Sequence, residues 1–166
     1  MSQPWASFLE AHAALRSQVT SACQAVVEAE ALDEPALRRG VGRLHALLSH
    51  GLLRHMAVED RVLYPALARA EGQMSVDLLA MDHREIADME REVAGAEEAL
   101  SHGELSPAER RRLTHTVHAL GSLVDLHMTK EEQVCLPALD RDFEATMQHD
   151  LEESLDTFEL AERSAE

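Results

Sequence analysis

Two stretches of the chain set a glutamate four residues after a histidine: His55 and Glu59 in "HMAVEDRVLYPAL" at 55–67, and His127 and Glu131 in "HMTKEEQVCLPAL" at 127–139. The stretches stand 72 residues apart and keep a His, a Met, two acids, a Val, a Pro, an Ala and a Leu in register. On a helix, residues four apart share a face about one turn (~6 Å) from each other, so imidazole and carboxylate can converge on one ion or on neighbouring ions. Nitrogen together with carboxylate oxygen suits iron, manganese or zinc; calcium and magnesium favour oxygen alone. His12 and His83, 71 residues apart, precede His55 and His127 by 43 and 44 residues, so the chain reads as two copies of one helical hairpin. Each copy offers two imidazoles and one carboxylate. Six such groups exceed what a single tetrahedral zinc uses, and carboxylates bridge readily, so the set points to two ions.

The competing reading is structural. A lone His on an apolar helix face is ordinarily a hydrogen-bonded core residue. Two repeated pairs at the centres of hairpins are different, because an unpartnered buried carboxylate costs on the order of several kcal/mol. No Lys or Arg lies on the same stripes beside them. The remaining histidines, His45, His118, His50, His115, His102 and His149, read as solvated. Asp60 and Glu132 follow the two glutamates by one residue, which turns them roughly 100° away into supporting or surface roles. Tyr64 reads as a packing residue, a role near the site being the alternative; Met56 and Met128 read as packing residues, and Glu90, two turns beyond His83 (~10 Å along the axis), lies too far to share its ion.

Four amphipathic helices must position these groups. The first stripe runs Trp5, Phe8, His12, Leu15, Val19, Ala22, Val26. The second, opened by "DEP" at 33–35, runs Leu37, Val41, Leu44, Leu48, Leu52, His55, Glu59, Val62, Ala66. The third runs Leu79, His83, Ile86, Glu90, Val93, Leu100. The fourth, opened by the capping pattern "SPAE" at 106–109, runs Leu113, Val117, Leu120, Val124, His127, Glu131, Val134, Ala138. Breaks at 32–34, 70–73 and 101–106 are short enough to join antiparallel neighbours. The expected fold is all-α, an up-down antiparallel four-helix bundle over residues 1–141. Residues 142–166 are expected to add a short acidic fifth helix, with the stripe Phe143, Met147, Leu151, Leu155, Phe158, and a frayed tail packed on the bundle.

Composition narrows the partners. Acidic residues outnumber basic ones 31 to 15, so the field of the molecule repels phosphate backbones and anionic headgroups, and neither nucleic acid nor membrane is an expected partner. The N-terminal stretch lacks a basic leader and no apolar run approaches the ~20 residues of a membrane span, which predicts a cytoplasmic protein. Cys23 and Cys135 form no CxxC and read as packed, reduced thiols.

The pattern His12, His55xxxGlu59, His83, His127xxxGlu131 resembles the hemerythrin-like HHE cation-binding domains over roughly residues 5–140. The segments "EDRVLYPAL" and "EEQVCLPAL" look like that family's acidic-then-apolar-Pro stretches. The resemblance implies a four-helix bundle around two non-haem irons with an oxo or hydroxo bridge, manganese or zinc being substitutes. It assigns His12 with His55 to one iron, His83 with His127 to the other, and Glu59 and Glu131 to bridges. The ExxH motif of ferritin-like di-iron bundles does not occur here. One departure is informative: oxygen carriers of the family have a second His one turn after the third-helix ligand, where this chain has Ala87.

The expectation is therefore a di-iron protein that binds or reduces dioxygen, peroxide or nitric oxide, with an undetermined redox partner. An iron donor, or a sensor whose output is metal release or local unfolding, is the alternative. A metal-independent interaction bundle is the third reading.

Overall fold

The structure, a computed structural model, describes residues 5–31, 33–142 and 153. The expected fifth helix and tail at 143–166 lie outside the described residues, Glu153 apart. Four helices account for the rest: α1, Ala6–Glu30; α2, residues 34–71; α3, Gln73–His102; and α4, residues 107–142. α1 packs on α2 and α4, and α3 packs on the same two, so the four enclose one central axis. No strand occurs among the described residues, and none of their helices is long and apolar enough to cross a membrane.

The boundaries follow local chemistry. The Asp33 carboxylate accepts from the Ala36 amide at 2.7 Å, with Pro35 in the first turn of α2. Ser106 and Glu109 form a reciprocal capping box ahead of α4: the Ser106 amide donates to Glu109 Oε2 at 2.7 Å and the Glu109 amide to Ser106 Oγ at 3.3 Å. Gly72 alone separates α2 from α3, at φ 88°, a conformation that costs a Cβ-free residue nothing.

Two of these helices are not regular. α2 carries π-helical turns at Leu48–Leu52 and Glu59–Leu63, and α4 carries one at Glu131–Cys135. Across the last two turns the amides of Tyr64 and Leu136 donate to the carbonyls of Glu59 and Glu131, five residues back. Pro65 and Pro137 come immediately after. A proline in a helix lacks the amide and crowds the carbonyl four residues back, and a widened turn just upstream relieves both defects. The unbroken 3.6-residue stripes expected from the sequence are corrected here. Each extra residue rotates the remainder of its helix, so Leu63 with Tyr64, and Cys135 with Leu136, enter the core; Val62 is half-buried, and Val134 is 63% exposed.

The core has two apolar clusters. One is built on Val19, Leu44, Leu48, Ile86, Leu120 and Val124; the other, on Trp5, Phe8, Leu63, Tyr64, Leu79 and Leu139, closes the end of the bundle where α4 finishes. Trp5 Nε1 donates to Asp140 Oδ1 at 2.7 Å, tying the start of α1 to that end. Both thiols are buried and free. His12, His55, His83 and His127 occur along their helices between residues of the two clusters, with the two glutamates one turn further on in α2 and α4.

Candidate metal centre

All six residues singled out from the sequence are buried, Glu59 and Glu131 at 1% and 0% exposure. Among the described residues, two groups bring donor atoms close enough to hold a metal ion: Glu59, His83, His127 and Glu131, and His12, His55 and Glu59. Glu59 belongs to both. Its Oε1 lies 2.8 Å from His55 Nε2 and 3.2 Å from His12 Nε2, and its Oε2 lies 3.3 Å from His83 Nε2. Glu131 Oε2 lies 3.5 Å from His127 Nε2 and 3.6 Å from His12 Nε2. His83 Nε2 and His127 Nε2 stand 2.9 Å apart. The structure thus gathers the histidines in the pairs that the sequence suggested, with both carboxylates between them.

Three of the imidazoles are oriented from behind. Nδ1 of His12 faces Glu132 Oε1 at 3.1 Å, Nδ1 of His83 faces Asp60 Oδ1 at 3.0 Å, and Nδ1 of His127 faces Asp82 Oδ2 at 3.2 Å. A carboxylate at Nδ1 selects the tautomer with the proton there and leaves the inner Nε2 lone pair free for a cation. Arg16 Nη2 holds Glu132 at 3.0 Å and Lys130 Nζ holds Asp82 at 2.6 Å. Asp60 and Glu132 play the supporting part expected of them. Asp82 and its lysine escaped sequence reasoning, although Asp82 stands directly before His83.

Tyr64 also reaches the centre. Its hydroxyl donates to Glu131 Oε1 at 2.9 Å and lies 2.9 Å from His83 Nε2, with the ring stacked on His83. Of the two roles the sequence left open to it, packing and a place near the site, the structure shows the second, the π turn turning it inward. At the related place in the second copy, 72 residues on, stands Leu136. Phe8 covers the other half-site, its ring centroid 4.1 Å from that of His12.

The electrostatics show what the donors lack. Burial would raise the Glu59 carboxyl, but the His55 charge and the inward nitrogens of His12, His55 and His83 beside it outweigh that and hold Glu59 well below the usual range. Glu131 is driven well above that range by burial and by the Glu59 charge. Burial pushes His127 down to about 4, whereas His83, also buried, is raised by Asp60 and Glu59. Burial and the two glutamates raise the Tyr64 phenol. Without a cation the two carboxyls are thus driven in opposite directions, Glu59 down and Glu131 up. Glu59 Oε2 and Glu131 Oε2, both buried, accept no hydrogen bond in this arrangement. Orphaned carboxylate oxygens amid inward-facing imidazoles fit cations of the borderline class that nitrogen and oxygen share.

Glu90 lies outside both groups. His45 Nε2 meets it at 3.1 Å, and His45 Nδ1 bonds Glu97, so His45 clasps α2 to α3 rather than standing solvated.

A four-helix bundle with a buried cluster of imidazoles and carboxylates at its centre is a cation-binding bundle. Residues 3–139 match the family model of the hemerythrin HHE cation-binding domain, and the chain belongs to that family. No curated protein and no solved structure matches the chain individually.

Proposed function

We propose that this centre holds two non-haem iron ions and binds or reduces a small ligand, namely dioxygen, peroxide or nitric oxide. The observation that carries the reading is the sharing of Glu59 between two donor groups, with Glu131 reaching His12 and His127 alike. Metal binding is the family's property; the iron, the count and the ligand set are the proposal. His12 with His55 would hold one ion and His83 with His127 the other, Glu59 and Glu131 lying between. Bound iron would supply changes of oxidation state and positions open to a small ligand.

The chain's own residues set the terms of that chemistry. Asp60, Asp82 and Glu132 aim three imidazoles inward. Phe8, Val58, Leu63 and Leu79 belong to the apolar cluster on one side and exclude water. Tyr64 keeps a proton at its hydroxyl, directed at Glu131 Oε1, and presents the same oxygen to His83 on one side only, where Leu136 marks the other. The two half-sites are thereby unequal: one has a phenol for donating a proton or an oxygen, the other an aromatic cover. Ala87, one turn after His83, brings no further imidazole. Both features favour reaction with the ligand over its reversible carriage.

Anaerobic addition of ferrous iron to the metal-free protein, followed by oxygen, peroxide or nitric oxide, tests the reading. It expects two irons per chain and rapid oxidation with the metal retained. Loading of one ion or fewer by a fully folded protein would overturn the pair, and oxygen recoverable under vacuum would overturn the reactive role. A sensing output has one observation in its favour, the position of the donor layer between two apolar clusters; its signature would be loosening of the fold when the metal leaves.

A further inference from the structure

We propose that the outer face shared by α3 and α4 is the docking site for a basic one-electron carrier protein that reduces the metal centre. The proposal rests on the di-iron reading of that centre. Of the large apolar side chains exposed among the described residues, five lie on these two helices: Met74 at 79%, Leu78 at 59%, Met81 at 56%, Leu126 at 53% and Val134 at 63%. Met74, Leu78 and Met81 are spaced by four and three residues and form one stripe of α3. The Lys130–Asp82 ion pair, 2.6 Å long, sets the register between the antiparallel helices. Leu78 lies one turn before Asp82, Val134 one turn after Lys130 within the π turn, and Leu126 one turn before Lys130. An apolar frame thus surrounds one ion pair. Grouped apolar exposure of this kind marks a surface that meets a partner.

The framed ion pair is also a route to the centre. Asp82 Oδ2 accepts from His127 Nδ1 at 3.2 Å as well as from Lys130, so a single carboxylate connects a candidate ligand with the middle of the patch. Charge selects the occupant. Exposed Asp77 and Glu85 lie on the α3 side of the face with Asp88, which Arg91 pairs, against Arg84 and the paired Lys130, in a chain of net charge −16. A second copy would bring the same acidic rim, and residues 143–166 carry eight acidic residues to one basic. Like charges disfavour both, whereas a basic carrier is steered to the face. The electron balance is simple. Each encounter moves one electron from the carrier, which leaves oxidised by one, and two encounters take two ferric ions to ferrous.

Two readouts on the full-length protein test this. The first is methionine oxidation followed by mass spectrometry. In dilute isolated protein Met74 and Met81 should oxidise readily while buried Met56 and Met128 resist, and a low-potential basic c-type cytochrome should protect Met74 and Met81 at low salt. An acidic flavodoxin of similar potential should not. The second is stopped-flow reduction of the iron-loaded protein by the same cytochrome. It should saturate and slow at least tenfold in the exposed-surface variant L78Q/M81Q/V134Q, while reduction by dithionite keeps its rate. Protection of Met74 and Met81 in dilute isolated protein would overturn the proposal in favour of cover by the C-terminal stretch. Protection that appears with protein concentration, alongside a doubled mass, would overturn it in favour of a second copy. Equal reduction rates for the variant, or for the acidic carrier, would also refute it. Failure to load iron would sink the di-iron reading instead, and is visible before any carrier is added.

Discussion

Chelation of the bound metal perturbs six buried side chains at once, and its cost can be worked out. Cations would offset the charge of Glu59 and Glu131 and occupy the inner imidazole nitrogens; without them, burial and the Glu59 charge push Glu131 toward its protonated form, and Asp60 and Glu59 raise His83. A ligand that binds only the folded state stabilises it by ~4 kcal/mol when its free concentration is ~1,000 times its dissociation constant. For a chain of this size each kcal/mol moves the melting temperature by ~2–4 °C, so one saturated site is expected to raise it by ~8–16 °C, and a second adds to this. The loss should be local as well as global. The donor layer sits between the two apolar clusters, so amide exchange in metal-free protein should quicken first in the cluster of Trp5, Phe8 and Leu139. Calorimetric melts of protein verified by elemental analysis as metal-free and as fully loaded, in one buffer near neutral pH, provide the assay. Equal melting temperatures would refute the reasoning, as would a Glu59→Ala variant that loads and melts like the unmutated chain.

Metal uptake near neutral pH should release protons, because Glu131 and His83 have raised pKa values when metal-free and must both give their protons up; affinity should therefore rise with pH, and calorimetry in buffers of different ionisation enthalpy would show no proton release if this is wrong. Glu90→Ala should leave the metal content unchanged yet cost about 1 kcal/mol, because it removes the carboxylate that His45 Nε2 meets at 3.1 Å; loss of metal in that variant would contradict the ligand assignment. Asp82→Ala removes the group behind His127 Nδ1 and should weaken metal binding by ~10–100-fold, as judged by competition with a chromophoric chelator. Tyr64→Phe should keep the metal count and change the visible spectrum of the ferric protein; superimposable spectra would place the phenol outside the reaction.

The helices, their order and the six inward donors were legible in the sequence because each depends on local spacing. Apolar residues every three or four positions select a helix face, Asp33 and Ser106 cap their own helices, and His and Glu four apart share a turn whatever the rest of the chain does. The 72-residue repeat added the pairing of the hairpins without any knowledge of their packing. What escaped was decided by backbone geometry and by neighbours on other helices. Pro65 and Pro137 were visible, but the π turns ahead of them were not, since a periodicity argument assumes 3.6 residues per turn throughout. The slip they introduce carries Tyr64 into the centre and turns Val134 out to solvent. Asp82 and Lys130 are 48 residues apart, and His45 and Glu90 are 45 apart, so only the packing of α2 and α4 on α3 brings either pair together. The opposite pKa directions of Glu59 and Glu131, identical in residue type and related by the repeat, arise in the same way: Glu59 is lowered by the histidines around it, whereas Glu131 is raised by burial and by the Glu59 charge across the bundle.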